Sequence, residues 1–246
     1  KLVFIGEMEF DGLFGYETIS TRLLKKFGTE LMLSAYEKRK GDLPSPGKDV
    51  ENLQIARKFS DGFDIFAIEI IANSTGMNDL AVGHPSSTAS ISKSFGTNAK
   101  KDIGKHKTMI ISTGKGFSNN TLSKSLSSLW NCSDAIKDEG LAILLAECKF
   151  GIGSDGIQSF IDGRMNLENL RRPSQYVDGM ENLLYITEIQ KKFQLGLLSI
   201  LPTHYTKKLN MMSFDGIQQV MDYILKNQGQ KQKVEVISDG ARTLLR

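Results

Sequence analysis

Glu147 and Cys148 stand side by side at the end of the apolar run in GLAILLAECKFGIGSDGIQSF, and Gly151 and Gly153 follow before an amphipathic stretch begins. The order is strand, glycine turn, helix. At such a turn the first N–H groups of the helix lack partners and carry partial positive charge, so the preferred guest is an anion. Gly151 and Gly153 let the backbone turn tightly and approach a ligand, while Ser154 or Asp155 can cap the helix. The plainer alternative is that the glycines only permit the turn. A second loop, STGKGFSNN, sets Lys115 between two glycines with Asn119 and Asn120 ahead of a helix. It suits a carboxylate or phosphate, or is simply solvated. It is not a Walker A loop, because Gly116 follows Lys115 where Ser or Thr is required. Neither loop completes the dinucleotide fingerprint G-x-G-x-x-G.

Glu147 is a sharper candidate than Cys148: a carboxylate at a strand end needs a partner or a task, whereas a thiol closing an apolar run is usually a small core residue. His84, His106 and His204 are widely separated and form no His-x-x-x-His pair. A metal site made by this chain alone is therefore not expected. His204, just past Pro202, is a candidate proton-transfer group or else a surface-loop histidine.

The elements that position these residues follow from periodicity. Residues 2 to 5 read as a strand. Apolar spacing at Ile19, Leu23, Leu24 and Phe27 predicts a helix ending at Gly28, and two more helices are expected over 30–40 and from Val50 to about Ser60. GDLPSPGKD, 41 to 49, is the best linker. From residue 61 the texture changes. The runs at 63–73 and 79–84 predict a hairpin about the turn at 73–76, and a helix is expected over 86–95. A polar basic loop then leads to three units of one grammar: KTMIISTGKGFSNNTLSKSLSSLW, the Glu147 unit, and LGLLSILPTHYTKKL. A helix over 213–227, a strand over 233–238 and a tail close the chain. This alternation predicts an α/β fold, a mainly parallel sheet with helices on both faces, preceded by a small mostly helical segment over 1–60. The ends of the strands near Ser112, Glu147 and Leu201 should lie side by side, where ligands of open α/β sheets bind.

Composition narrows the function classes. The 246 residues are 40% hydrophobic and 24% charged, with a net charge of +3; this is an ordinary globular range. No zinc-finger or RNA-binding signature accompanies the mild basicity, so nucleic acid is not an expected partner. No apolar run reaches the ~18 residues of a membrane span. Two cysteines, with no Cys-x-x-Cys pair, fit a reducing cytoplasm. The chain opens at Lys1 directly in a strand-like run, which raises the expectation of a segment upstream.

The motif order DIFAIEIIANSTGMNDLAVGHP, IISTGKGFSN, GLAILLAECKFGIGSDGIQSF and KVEVISDGARTL resembles the C-terminal domain of the nickel-dependent lactate racemase family over residues 61–246. The resemblance implies two α/β domains with the active site between them. It also implies a nickel pincer nucleotide on a lysine of the N-terminal domain, with histidines of that domain moving the proton. None of those groups can be matched to residues in 1–60. The family's Tyr-Gln pair and following Lys, which hold substrate, fall near Ser123, Lys124 and Ser127, where only Lys124 keeps a cation. The isolated chain is accordingly expected to bind nickel weakly.

Two functions follow. One is a racemase or epimerase of a small 2-hydroxy acid, with this chain supplying the carboxylate side of an interdomain cleft alongside an upstream domain or partner chain. The other is a non-catalytic ligand-binding or assembly protein that kept the fold. In either, Lys115 or Lys124 would join backbone N–H groups near Gly151–Ser154 or Gly114–Asn120 to hold the anion.

Overall fold

Runs rich in Ile, Leu and Val with few charges suit strands covered on both faces. The computed structural model describes residues 2–39, 41–73, 76–229 and 231–246. In it these runs form a five-stranded sheet ordered Met212–Phe214, Gln194–Leu198, Ile136–Leu145, His106–Ser112, Val234–Ile237, parallel throughout. Side chains alternate between two cores. Met109, Ile111, Ala142 and Leu144 pack with residues of the helices Leu122–Cys132, Asp155–Ile161 and Met180–Ile189, while Ile110 and Ile143 pack with Val220 and Ile224 of the helix Ile217–Gln228. Layers thus cover both faces.

The strand ends lie side by side, as the grammar required. Thr113 N donates to Leu145 O at 3.2 Å, Ala146 N to Leu198 O at 3.1 Å, and Ile200 N to Glu147 O at 3.2 Å. The loops after three strands therefore share one edge.

A smaller sheet places Leu2–Glu7 parallel to Ile65–Asn73, which pairs antiparallel with Gly76–Gly83. The hairpin over 63–84 thus forms, although Ser74 and Thr75 of its expected turn lie outside the described residues. Ile65 and Ala67 pack under the sheet against Ile19 and Leu23 of the helix Ile19–Phe27. The opposite face carries Val3, Ile5, Phe66, Leu80 and Val82, all exposed. The helices Thr29–Glu37 and Glu51–Ser60 complete the first sixty residues with a short hairpin, Glu9–Asp11 paired to Gly15–Glu17.

Local differences from the sequence reading have physical causes. The expected helix over 86–95 is broken into Pro85–Thr88, a 3-10 turn Ala89–Ile91, and Ser92–Ala99. Its hydroxyls bond back to the main chain, Ser87 to His84 O, Thr88 to Pro85 O and Ser90 to Ser87 O, and such bonds compete with a regular helix. The second helix stops at Glu37, short of Lys40, which is outside the described residues. Within the expected basic loop and C-terminal tail, Lys100–Lys101 and Leu244–Leu245 pair as a short ladder that buries both leucines.

Candidate functional site

The N-terminal hairpin builds one wall of a cleft. Its strands put Glu9 opposite Glu17, and its tip is closed by Asp11, whose Oδ1 accepts from Leu13 N and Phe14 N at 2.7 Å each. The chain then enters the helix Ile19–Phe27 through a capping box in which Thr18 and Thr21 satisfy each other's backbone N–H groups. Three residues apart on that helix, Arg22 and Lys25 face the hairpin acids. Lys25 Nζ is 2.6 Å from Asp11 Oδ2, and Arg22 Nε is 2.9 Å from Glu17 Oε1.

The second wall comes from the large sheet's loops. Thr121 caps the helix Leu122–Cys132, which carries Ser123, Lys124 and Ser127 into the cleft, with Gly153 of the neighbouring loop beside them. Lys124 Nζ reaches Glu17 Oε1 at 3.3 Å. Asp178, Glu181 and Asn182 close the far side, where Tyr176 OH donates to Glu181 Oε2 at 2.9 Å. The cavity between these walls measures about 120 Å³. It opens into a groove of about 590 Å³, and Glu9 and Lys124 line both.

Carboxylates outnumber cations here, and burial decides their protonation. Burial opposes charge on Glu17, but Lys124, Lys25 and Arg22 outweigh it and hold the carboxyl well below the usual range. Burial pushes Glu181 up to about 7 despite Lys25, with Asp178 and Asp11 raising it further. Glu9 is raised by burial and by Glu17, against Lys124 and Arg22. Protonation of Glu181 near neutral pH lessens the excess of negative charge, and Asp11, Glu17 and Asp178 face Arg22, Lys25 and Lys124.

The other residues singled out from the sequence fall in two groups. Asn119 ties the loops together: its Oδ1 accepts from Glu147 N at 2.7 Å and from Thr113 Oγ1 at 3.0 Å, and its O accepts from Cys148 N at 2.9 Å. Asn120 O accepts from Phe150 N, and Asn120 lines the groove. Leu122 N and Ser123 N donate to Gly151 O and Ile152 O, so loop carbonyls already occupy the start of that helix. Ser154 caps the next helix through Ile157 N, and Gly156 N goes to Asp178 O. The N–H groups expected to greet an anion at these two helix starts are thus largely engaged.

Lys115 and Glu147 are exposed. Cys148 is buried, 3.7 Å from Ser125 Oγ, and burial raises its thiol to about 11, far from a ready nucleophile. Sequence reasoning missed Glu9, Asp11, Glu17, Arg22 and Lys25. The segment EFDGLFGYE offered a signal, an alternation of polar and apolar residues about a glycine-rich centre, which marks a hairpin.

The donors present do not fit a nickel pincer nucleotide. Among the described residues no group of three or more His, Cys, Asp or Glu could hold a metal ion. His84 lies 2.8 Å from Ser86 Oγ and 3.1 Å from Phe63 O. His106 begins its strand, at the edge opposite the cleft, and lies 3.0 Å from Ile103 O. His204 packs on Tyr205 with ring centres 4.2 Å apart. The lysines of the cavity, Lys25 and Lys124, are both ion-paired.

No family model matches the chain, and no curated protein matches it in sequence. Among solved structures, the whole chain is similar to the lactate racemase apoprotein of Thermoanaerobacterium thermosaccharolyticum, with a TM-score of 0.77, 16% identity and 62% of that chain covered. A protein of Thermotoga maritima matches over 99% of this chain and 66% of its own, with a TM-score of 0.66 and 10% identity. The fold is lactate-racemase-like, and the chain spans less than two thirds of either structure's length. The likeness includes residues 1–60 as well as 61–246. No helix among the described residues is long and apolar enough to cross a membrane.

Proposed function

We propose that this chain is the ligand-holding part of a lactate-racemase-like protein and that its cleft receives a small 2-hydroxy acid, the carboxylate at Lys124. The observation that carries the reading is the place of Lys124. Its side chain is 52% exposed, it lines both the cavity and the groove, and Glu17, its ion partner, is also held by Arg22. An entering carboxylate gains a charge-assisted bond from Lys124 without leaving Glu17 unpaired. Ser123 offers a hydroxyl on the same helix wall, whereas the Ser127 hydroxyl already donates to Lys124 O at 2.7 Å, and the cavity of about 120 Å³ suits a small acid.

Binding and chemistry separate in this reading. A racemase or epimerase must move a hydride or proton at the ligand's C2, and no histidine lines the cavity or the groove. This chain then supplies the binding, and the transfer step falls to groups on an upstream domain or partner chain. The uncovered apolar face of the small sheet supports further polypeptide packing there. A binding or assembly protein without catalysis is favoured by the same placement of the histidines.

The test is an NMR titration of the 246-residue chain with D- and L-lactate. Saturable shifts at Ser123–Ser127 and Glu9–Glu17 support the proposal. Shifts confined to the surroundings of Lys115, or none that saturate, overturn it.

A further inference from the structure

The two loops that frame the cleft each lift a phenyl ring into solvent. Phe117 follows Gly116, whose φ of 112° turns the chain outward, and Phe150 precedes Gly151, at φ 80°. The rings are 83% and 68% exposed. Nothing in the core uses them.

The backbone that carries them is nevertheless fixed. Phe150 N donates to Asn120 O at 2.9 Å, and Asn120 N donates to Phe117 O at 3.1 Å, so one asparagine bonds the backbone of both phenylalanines. The Asn119 clasp holds the same loops from beneath. Two apolar groups presented on a stitched frame lose little freedom when something packs on them, which makes them efficient binding surface.

Both rings line the outer groove, together with Ile5, whose side chain is also exposed. Where that groove meets the cavity Lys124 stands with Glu9, and Glu7 and Arg22 line it as well. Lys124, half exposed beside Glu9, offers a cation to an anionic head, and the two phenyl rings along the groove offer an apolar surface to a tail. The groove's 590 Å³ is in the range of whole small-molecule sites, far beyond what a methyl group would fill.

We infer that Phe117 and Phe150 set the specificity of the cleft for a 2-hydroxy acid bearing an aromatic side chain, in preference to lactate. The inference rests on the binding reading above and adds the ligand's tail. A pocket contact of one methylene discriminates roughly 10–200-fold, so a ring packed against two phenyl groups is expected to be worth at least tenfold.

The experiment titrates the 246-residue chain with lactate, 3-phenyllactate and benzyl alcohol, then repeats the series on the Phe117→Ala/Phe150→Ala double variant. Thermal melts run beside each titration; because both rings are exposed, the double variant should melt with the parent. The expected result is 3-phenyllactate at least tenfold tighter than lactate in the parent. In the double variant the ratio should fall to within about twofold while lactate affinity holds, with benzyl alcohol weak throughout. Equal affinities in the parent, or a ratio kept by the double variant, overturn the inference and leave the binding reading standing. Benzyl alcohol binding as tightly as 3-phenyllactate removes the head-and-tail geometry and overturns it too. Neither acid binding overturns the binding reading itself, and the inference with it.

Discussion

A Cβ at Gly153 would lie 2.4 Å from Thr121 Cβ, whereas at Gly151 nothing stands within 4 Å. Both residues have positive φ, so an alanine at either costs about 1 kcal/mol in backbone strain. Gly153→Ala adds a collision with the residue that caps the cleft helix, worth about 1–3 kcal/mol more. Urea denaturation should therefore show Gly153→Ala clearly less stable than Gly151→Ala; equal losses would mean that Thr121 moves aside freely. Asn119→Ala removes the acceptor of Glu147 N and Thr113 Oγ1 and is expected to cost about 1–3 kcal/mol in the same assay. Unchanged stability would deny the clasp. From the sequence, Asn119 has the right type for a ligand group. Its partners, 28 residues away at Glu147, could not be read from spacing. Lys124, by contrast, was reached through a family position, and the structure puts it on the cleft wall.

The elements show why some patterns were legible and others not. Ile19, Leu23 and Leu24 predicted a helix and are buried on it, while Phe27 of the same pattern is 63% exposed, because the buried stripe ends before the last turn. The strands of the large sheet were plain because burial on both faces demands unbroken apolar runs. The hairpin at 9–17 was not, since its polar residues serve the cleft rather than a core. Those polar residues give the molecule a pH signature. Glu181, raised by burial to about 7, has a folded pKa above its unfolded value. Its contribution to stability is full below about 4.5 and is lost as pH rises through about 7, on the order of 3 kcal/mol. Glu69, raised by burial to about 6, acts in the same sense. Glu17 has the opposite sign, its contribution being lost only as pH falls below the usual carboxylate range. Between pH 5 and 8 stability should fall, and Glu181→Gln should flatten the slope in chemical denaturation. A slope unchanged by that substitution would assign the effect elsewhere.

At the scale of the whole molecule, the side-by-side strand ends of the large sheet's three repeated units followed from their grammar, but the return of the first residues onto the cleft did not. The pairing of Leu2–Glu7 with the strand at Ile65 joins segments some sixty residues apart, and no local pattern announces such a contact. The folding back is what turns a sheet edge into a cleft with a second, acidic wall. It follows that an anion enters most readily when Glu181 carries its proton. The affinity for a hydroxy acid should rise as pH falls from 8 to 6, with proton uptake on binding. Calorimetry in buffers of different ionisation enthalpy reads that uptake directly, and an affinity independent of pH would contradict it.

Lys124 is the cation proposed to meet the ligand's carboxylate. The measurement that tests this most directly is the affinity of the 246-residue chain for lactate, compared by NMR titration with that of Lys124→Ala and Lys115→Ala, each checked by a thermal melt. Lys115 lies exposed on the neighbouring loop and outside both the cavity and the groove, so it serves as the control. The expected result is a loss of about tenfold or more for Lys124→Ala, with Lys115→Ala within about twofold of the parent. Lactate bound as tightly by a folded Lys124→Ala as by the parent would contradict the account.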